Sequence, residues 1–312
     1  MHGHDENDEP LDAFEARALA WIEANREHAP DDYGAILPES LLERGVAWQR
    51  HLVAHGWAGV DWPIAHGGLG LSAEHRARFV RACAVSGVPP FINMVGIVLA
   101  GGSILRFGSE QQRALHLTAT LRAEHIWCQL FSEPGAGSDL ASLTTTAILD
   151  GDEFVLNGQK VWCSGGRYSN WGILMARTDP TARRHKGLSF FLLDMALPGI
   201  EVRPLRQMTG DAEFDEVFFD DVRIPADALL GPLHDGWAVG MATLTNERGS
   251  IGTASISLAR RTDSMLAGFR TNRSTNSAID RQIAADLYIR GRVLTMLGAR
   301  QGAVASTAAS RM

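Results

Sequence analysis

Three stretches of the chain hold residue types that do chemistry. The first is the run Cys128–Asp139. Its Glu133–Asp139 part packs two glycines, a proline, a serine and two carboxylates into seven residues. Such a stretch cannot continue a strand. Pro134 fixes one φ angle, and Gly135 and Gly137 are expected to take backbone conformations that a Cβ would forbid. The spacing predicts a tight loop whose N–H groups converge on an anion, with the Ser138 hydroxyl beside them. Taken alone, the same residues also make an ordinary turn. The second stretch is Lys160-Val161-Trp162-Cys163-Ser164-Gly165-Gly166. A large flat aromatic sits two residues from a small hydroxyl, and two glycines follow, which suits a stacking face beside a hydrogen-bond donor. A tryptophan in such a strand is otherwise core.

The third is Glu247. It lies three positions after Leu244, four before Ile251 and eleven before Leu258. On a helix these residues share one face. A carboxylate on a buried face costs free energy unless it is paired or protonated. Burial would raise its pKa towards the range of a general base. Two alternatives stand beside that role: pairing with Arg248 or another arginine, or a helix rotated so that Glu247 meets water.

The elements that must position these residues follow from periodicity. Leu11–Asn25 places Leu11, Phe14, Ala18 and Trp21 at helical spacing. Pro38–His55 is a second amphipathic helix, closed by Gly56. A Gly-, Pro- and Trp-rich loop, Trp57–Leu71, leads to a helix over Ser72–Val85 capped by Ser72. Pro90–Phe107 reads as a buried apolar helix. Ser109-Glu110-Gln111-Gln112 is a capping box opening a fifth helix. From Ile126 the period changes. Asp150-Gly151 and Asn157-Gly158 read as hairpin turns between short strands, and Lys160–Ser164 as a strand of its own. Trp171–Arg177, Leu188–Asp194, Gly199–Pro204 and Glu216–Asp220 continue the series, which suggests a barrel or sandwich. After Pro232 the helical period returns through Phe269. A polar loop Thr271–Ser277 and a last helix from about Asp280 to Ala305 follow. The fold class is α+β multidomain. Residues 1–10 are expected as a disordered tail, 11–125 as an all-helical domain, 126–235 as a β-barrel, and 236–312 as an incomplete helical bundle.

Composition bounds the function. The 312 residues carry a formal charge of −7 and no basic stripe, which argues against nucleic acid. Three scattered cysteines, Cys83, Cys128 and Cys163, make neither a disulfide framework nor a CxxC metal site, so a reducing cytoplasm is expected. The acidic start, with His2 and His4, lacks the features of a signal peptide and offers no metal site. No apolar run is long enough to span a bilayer.

The strings Ser132–Asp139, Asn157–Gly166, Asn170-Trp171 and Ala176–Pro180, in this order and spacing, closely resemble the acyl-CoA dehydrogenase family. The resemblance covers most of the chain and is sharpest between Trp127 and Gly252. It implies FAD as cofactor and desaturation of an acyl-CoA thioester to the trans-2-enoyl-CoA, with electrons passed to electron-transfer flavoprotein. Asn246-Glu247-Arg248 is similar to the branched-chain and long-chain members, which implies Glu247 as the catalytic base. The resemblance further implies that Gln129, Leu130, Phe131, Ser132, Gly137, Ser138, Trp162, Cys163 and Ser164 contact FAD. It also implies that Ser138, Thr245 and Arg248 contact substrate.

Two departures accompany it. The family's Arg-x-x-Phe-Gly motif is replaced by Thr271–Asn276, and the C-terminal bundle is expected to be about half present. The chain is then a fragment or is completed by a homo- or hetero-oligomeric partner, and it is expected to hold FAD weakly or not at all by itself. Apolar surface on the last helices, from Ile251, Leu258, Met265, Ile283, Leu287, Leu294 and Leu297, is expected to be exposed. A catalytically silent subunit and a flavin oxidase or monooxygenase of the same fold are the rival functions.

Overall fold

The computed structural model describes residues 9–31, 33, 38–271 and 277–309; the side chains of 246–255, 257, 299 and 301–309 fall outside the description. Helix α1 (Leu11–Ala24) buries Phe14, Ala18 and Ile22, one residue per turn. Helix α2 (Leu42–Ala54) buries Trp48 and Leu52, and the chain leaves it through Gly56 at φ 74°. Helix α3 (Ala73–Ser86) begins where the Ser72 hydroxyl accepts the His75 N–H, and ends at left-handed Gly87.

The apolar segment after Pro89-Pro90 differs from the expected single helix. Residues before Met94 stay non-helical, Val95–Ala100 is a π-helical turn, and α4 covers only Gly101–Phe107. The reason is Asn93, buried at the entry. Its Oδ1 accepts the N–H groups of Gly96 and Trp127, and its Nδ2 donates to the carbonyls of Thr120 and His125. One amide thus ties the helix start to the first strand. Helix α5 (Glu110–Leu121) opens with the expected reciprocal capping of Ser109 and Gln112.

Seven strands follow: β1 (Trp127–Leu130), β2 (Thr146–Asp150), β3 (Glu153–Ser164), β4 (Trp171–Arg177), β5 (Leu188–Asp194), β6 (Ile200–Leu205) and β7 (Phe214–Pro225). They form one sheet in the order β1-β4-β2-β3-β7-β6, with β5 on β4. The sheet curls into a half-barrel. Strand β1 runs parallel to β4, and the β2–β3 hairpin turns at Asp150-Gly151 with Gly151 at φ 70°.

Asn157-Gly158, expected as a hairpin turn, is not one. Strand β3 runs through it unbroken, and the ladder to β7 slips a register there. Asn157 exchanges two hydrogen bonds with Asp221 of β7, each 2.9 Å. Gly158 takes φ 143° so close to Thr145 that a Cβ would lie 2.8 Å from its Cα. The two predicted strands on either side are one strand.

Two hydrophobic cores result. One joins the helices to one face of the sheet through Phe14, Trp48, Trp57, Phe79, Trp127 and Phe190; Cys83 lies in it. The other fills the half-barrel with Leu130, Phe154, Phe191, Val217 and Ile224, and holds Cys128 and Cys163. All three cysteines are free and buried, and burial pushes their thiols up, Cys128 to about 12.

Helix α6 (Gly236–Thr271) starts on the sheet. Gly236 meets the Ser189 backbone and Gly240 the Met175 sulfur so closely that neither place has room for a side chain. The Thr243 hydroxyl meets that of Ser103 on α4 at 2.7 Å in the interior. Helix α7 (Ala278–Ala309) packs back on α6. Leu258, Met265, Ile283, Leu287, Leu294 and Leu297 are exposed, as expected, while the Ile251 side chain lies outside the described ones. Most of the expected loop Thr271–Ser277 and of the tail 1–10 also lies outside the description. Among the described residues, no helix is long and apolar enough to cross a membrane and no group of three or more His, Cys, Asp or Glu could hold a metal ion.

Candidate cofactor and substrate site

The first two chemistry-bearing stretches meet side by side. The Val161 N–H donates to the Ser132 carbonyl at 2.9 Å, and the Lys160 ammonium donates to the Phe131 carbonyl at 3.0 Å. Gln129, Leu130, Phe131 and Ser132 therefore lie alongside Trp162, Cys163 and Ser164. Their side chains divide. Leu130, Phe131 and Cys163 point into the cores and offer only backbone to this surface. Gln129, Ser132 and Ser164 are half-buried.

Trp162 is the exposed one among the described tryptophans. It is 57% exposed, against 2% for Trp57 and 0% for Trp48. Its φ is +62°, a left-handed conformation that costs a non-glycine residue about 1–2 kcal/mol. The cause is a bulge. Lys160 pairs with Val217 and Cys163 with Asp215, so β3 spends Val161 and Trp162 where β7 spends only Glu216. The indole stands edge-on to Phe214 at 5.7 Å. A large ring held outward in a strained conformation is core to nothing, and such strain gathers where a ligand is met.

The loop after β1 differs from expectation in its means. Gly135 and Gly137 do not take positive φ, and a Cβ at either would meet nothing within 4 Å. The glycines leave open space above the loop rather than bending it. The bend comes from a Glu133–Ala136 backbone pair at 2.9 and 3.0 Å. Gly137 and Ser138 are exposed at its end.

Sequence reasoning missed the charges under this surface. Glu133 turns inward. Its carboxylate accepts from Lys160 Nζ at 2.8 Å, from the Thr144 N–H and hydroxyl, and from the Thr145 N–H. Burial pushes the Glu133 carboxyl up, but the Lys160 charge and these donors outweigh it and hold it down at about 2. Burial also pulls the Lys160 ammonium below its usual value, against the attraction of Glu133. On the other side of Trp162, buried Asp215 accepts the Arg167 N–H at 3.0 Å, and Arg167 Nε lies 2.8 Å from its second oxygen. Burial raises the Asp215 carboxyl, and the Arg167 contacts oppose that. Glu133 and Lys160 both stood in the motif strings; the only signal for their pairing was a carboxylate and an ammonium inside otherwise apolar strand ends.

The third stretch lies on α6. Glu247 and Arg248 fall within this helix, and their side chains are outside the described ones. Thr245 is exposed, and its hydroxyl donates to the Met241 carbonyl at 2.8 Å. One turn earlier, Ala242 borders a cleft of about 210 Å³ shared with Asp61 and Trp62 of the Trp57–Leu71 loop, and with Ile97 and Ser103.

Comparison with known proteins agrees with this architecture. Residues 25–124 match the acyl-CoA dehydrogenase N-terminal domain and residues 128–222 the acyl-CoA dehydrogenase middle domain. Acyl-CoA dehydrogenase IpdE1 of Mycobacterium tuberculosis is 49% identical over 246 residues, 77% of this chain and 63% of that protein. The human mitochondrial short-chain specific acyl-CoA dehydrogenase is 36% identical over 209 residues, 65% of this chain and 49% of that one. The chain thus spans less than two thirds of these relatives. Among solved structures, the Tcur3481-Tcur3483 steroid ACAD superposes with a TM-score of 0.82 at 26% identity, covering 97% of this chain and 78% of that one. With the helical domain, the half-barrel, the exposed Trp162 and the two domain matches, the chain belongs to the acyl-CoA dehydrogenase family of FAD-dependent oxidoreductases.

Proposed function

We propose that the chain carries out α,β-desaturation of an acyl-CoA thioester, with Glu247 as the base. The observation that supports this best is Trp162, an exposed indole on a strained bulge, two residues before Ser164 and next to Val161, whose N–H donates to the Ser132 carbonyl. The residues present fit a flavin: a flat face for the ring, backbone of Gln129–Ser132 along one edge, and room at Gly137 and Ser138 for a diphosphate. FAD, when bound, supplies the acceptor for the substrate β-hydride. Trp162 would cover the ring, the Ser164 hydroxyl would donate to it, and the backbone of Leu130, Phe131 and Cys163 would line the same surface. The Glu247 carboxylate removes the α-proton. Thr245, Arg248 and Ser138 are assigned to the thioester and its CoA chain. Electron-transfer flavoprotein would be the electron acceptor.

The experiment is anaerobic mixing of the FAD-supplemented chain with a panel of CoA thioesters, with flavin absorbance as readout. Bleaching by at least one thioester is expected, and its loss in Glu247→Gln with FAD still bound. Near-normal bleaching by Glu247→Gln would move the base elsewhere. No bleaching by any thioester would favour the reading as a silent subunit. The exposed apolar residues of α6 and α7 support a partner subunit in either case.

A further inference from the structure

Trp162 sits between two ion pairs, one on each side of the same bulge: Glu133–Lys160 is wholly buried, and in Asp215–Arg167 a buried carboxylate lies under a partly exposed guanidinium. Upstream, Lys160 is fully buried and joins β3 to the Glu133 loop through the Glu133 carboxylate and the Phe131 carbonyl. Downstream, Cys163 pairs in register with Asp215, which is also fully buried and is held by the backbone and guanidinium of Arg167. Arg167 reaches on to the Ala212 carbonyl. The ladder slip thus lies between two anchors only three positions apart on β3. Buried ion pairs are a costly way to gain stability, and apolar side chains of similar volume serve as well or better. What charges add here is direction. Lys160 fixes where β3 enters the bulge, and Asp215 fixes where it leaves. Between those points the chain is one residue too long for its partner, and the excess emerges as an outward, left-handed Trp162.

We propose that Glu133–Lys160 and Asp215–Arg167 are positioning pairs that hold Trp162 in its left-handed, outward conformation and so preform the flavin-covering face. This rests on the reading of Trp162 as a flavin contact. Without the pairs, the bulge can relax to a conformation free of the left-handed cost. That cost corresponds to about a tenfold change in population. Apparent FAD affinity scales with the population of the competent form, so a loss of about tenfold is expected.

The test uses the full chain and two kinds of variant. Arg167→Ala with Asp215→Asn removes one pair without leaving a buried charge, and Glu133→Gln with Lys160→Met removes the other. Arg167→Lys is the conservative control. Hydrogen exchange over residues 160–164 reads the bulge directly in the free chain. FAD titration by flavin fluorescence reads the consequence. Each paired variant should speed exchange over 160–164 and weaken FAD about tenfold, with Arg167→Lys recovering most of both.

In a Trp162→Gly background the same changes should weaken FAD no further, because the residue they position is gone. A merely structural role would add its loss in both backgrounds. If exchange over 160–164 is unchanged in both paired variants, or if their FAD losses persist undiminished in the Trp162→Gly background, the proposal is overturned. If Trp162→Gly alone leaves FAD affinity unchanged while the paired variants speed exchange, the flavin reading of Trp162 fails and the mechanical link stands.

Discussion

Trp162 gives an inverted expectation for two small substitutions. At an ordinary strand position glycine is about 0.5–1 kcal/mol worse than alanine, because it loses more freedom on folding. At φ +62° alanine keeps the left-handed cost of about 1–2 kcal/mol, and glycine does not. The balance reverses, and Trp162→Gly should be more stable than Trp162→Ala by about 1 kcal/mol. Both lose the same ring. With 57% of Trp162 exposed, roughly 100 Å² of it is buried, worth about 2.5 kcal/mol. Neither variant should therefore approach the wild type in urea unfolding, and both should hold FAD more weakly by a similar factor. Urea titrations of the three proteins, followed by far-UV circular dichroism, supply the comparison. An alanine variant as stable as or more stable than the glycine variant would show that the bulge is not strained, and the argument for a functional tryptophan built on that strain would fall.

Lys160→Met alone should cost about 3–5 kcal/mol, since it leaves the Glu133 carboxylate buried without its ammonium; thermal unfolding of the single and double variants should show the double with Glu133→Gln recovering much of the loss. His116 is buried against Trp127 and Trp171 and beside His125, and burial, then the His125 charge, lowers its pKa from 6.5 to about 4. The folded chain binds fewer protons there, so this contribution to stability is fully present above pH 6.5 and is lost as pH falls towards about 4. Its size is about 3 kcal/mol, and His116→Gln should flatten the urea midpoint against pH in that window. The apolar side chains exposed on α6 and α7 should drive association, so size-exclusion chromatography of the chain should show an oligomer or require a partner subunit; a well-behaved monomer carrying stoichiometric FAD would contradict this.

Local signals were legible where the physics is local. Ser72, the Ser109–Gln112 box and Asp150-Gly151 act through residues two or three positions away, and each does what its spacing dictates. Asn157-Gly158 misled because its partner, Asp221, lies 64 residues on. A dipeptide that makes a hairpin turn in isolation becomes a bulge when a long strand lies beside it. The apolar helix after Pro90 began late for a similar reason: Asn93 caps its own helix at Gly96 and is at the same time bound to Thr120, His125 and Trp127, distant partners that fix where the helix can start. At the candidate site the residue types of Gln129–Ser132 and Trp162–Ser164 were readable. The handedness of Trp162 was not, because it is set by a slip against β7. Nor was the inward turn of Glu133, which depends on Lys160, 27 residues further along.

The three cysteines provide a native reporter of how the two cores come apart. Each is fully buried with a thiol pushed well above neutrality, so thiol reagents can label the chain only when it opens. Cys83 belongs to the core around the helices, and Cys128 and Cys163 belong to the half-barrel. Their labelling rates therefore read the opening of each core separately, without any introduced probe. Equal rates at all three sites would mark one cooperative unit; a faster Cys83 would mean that the helices let go first and leave the half-barrel standing.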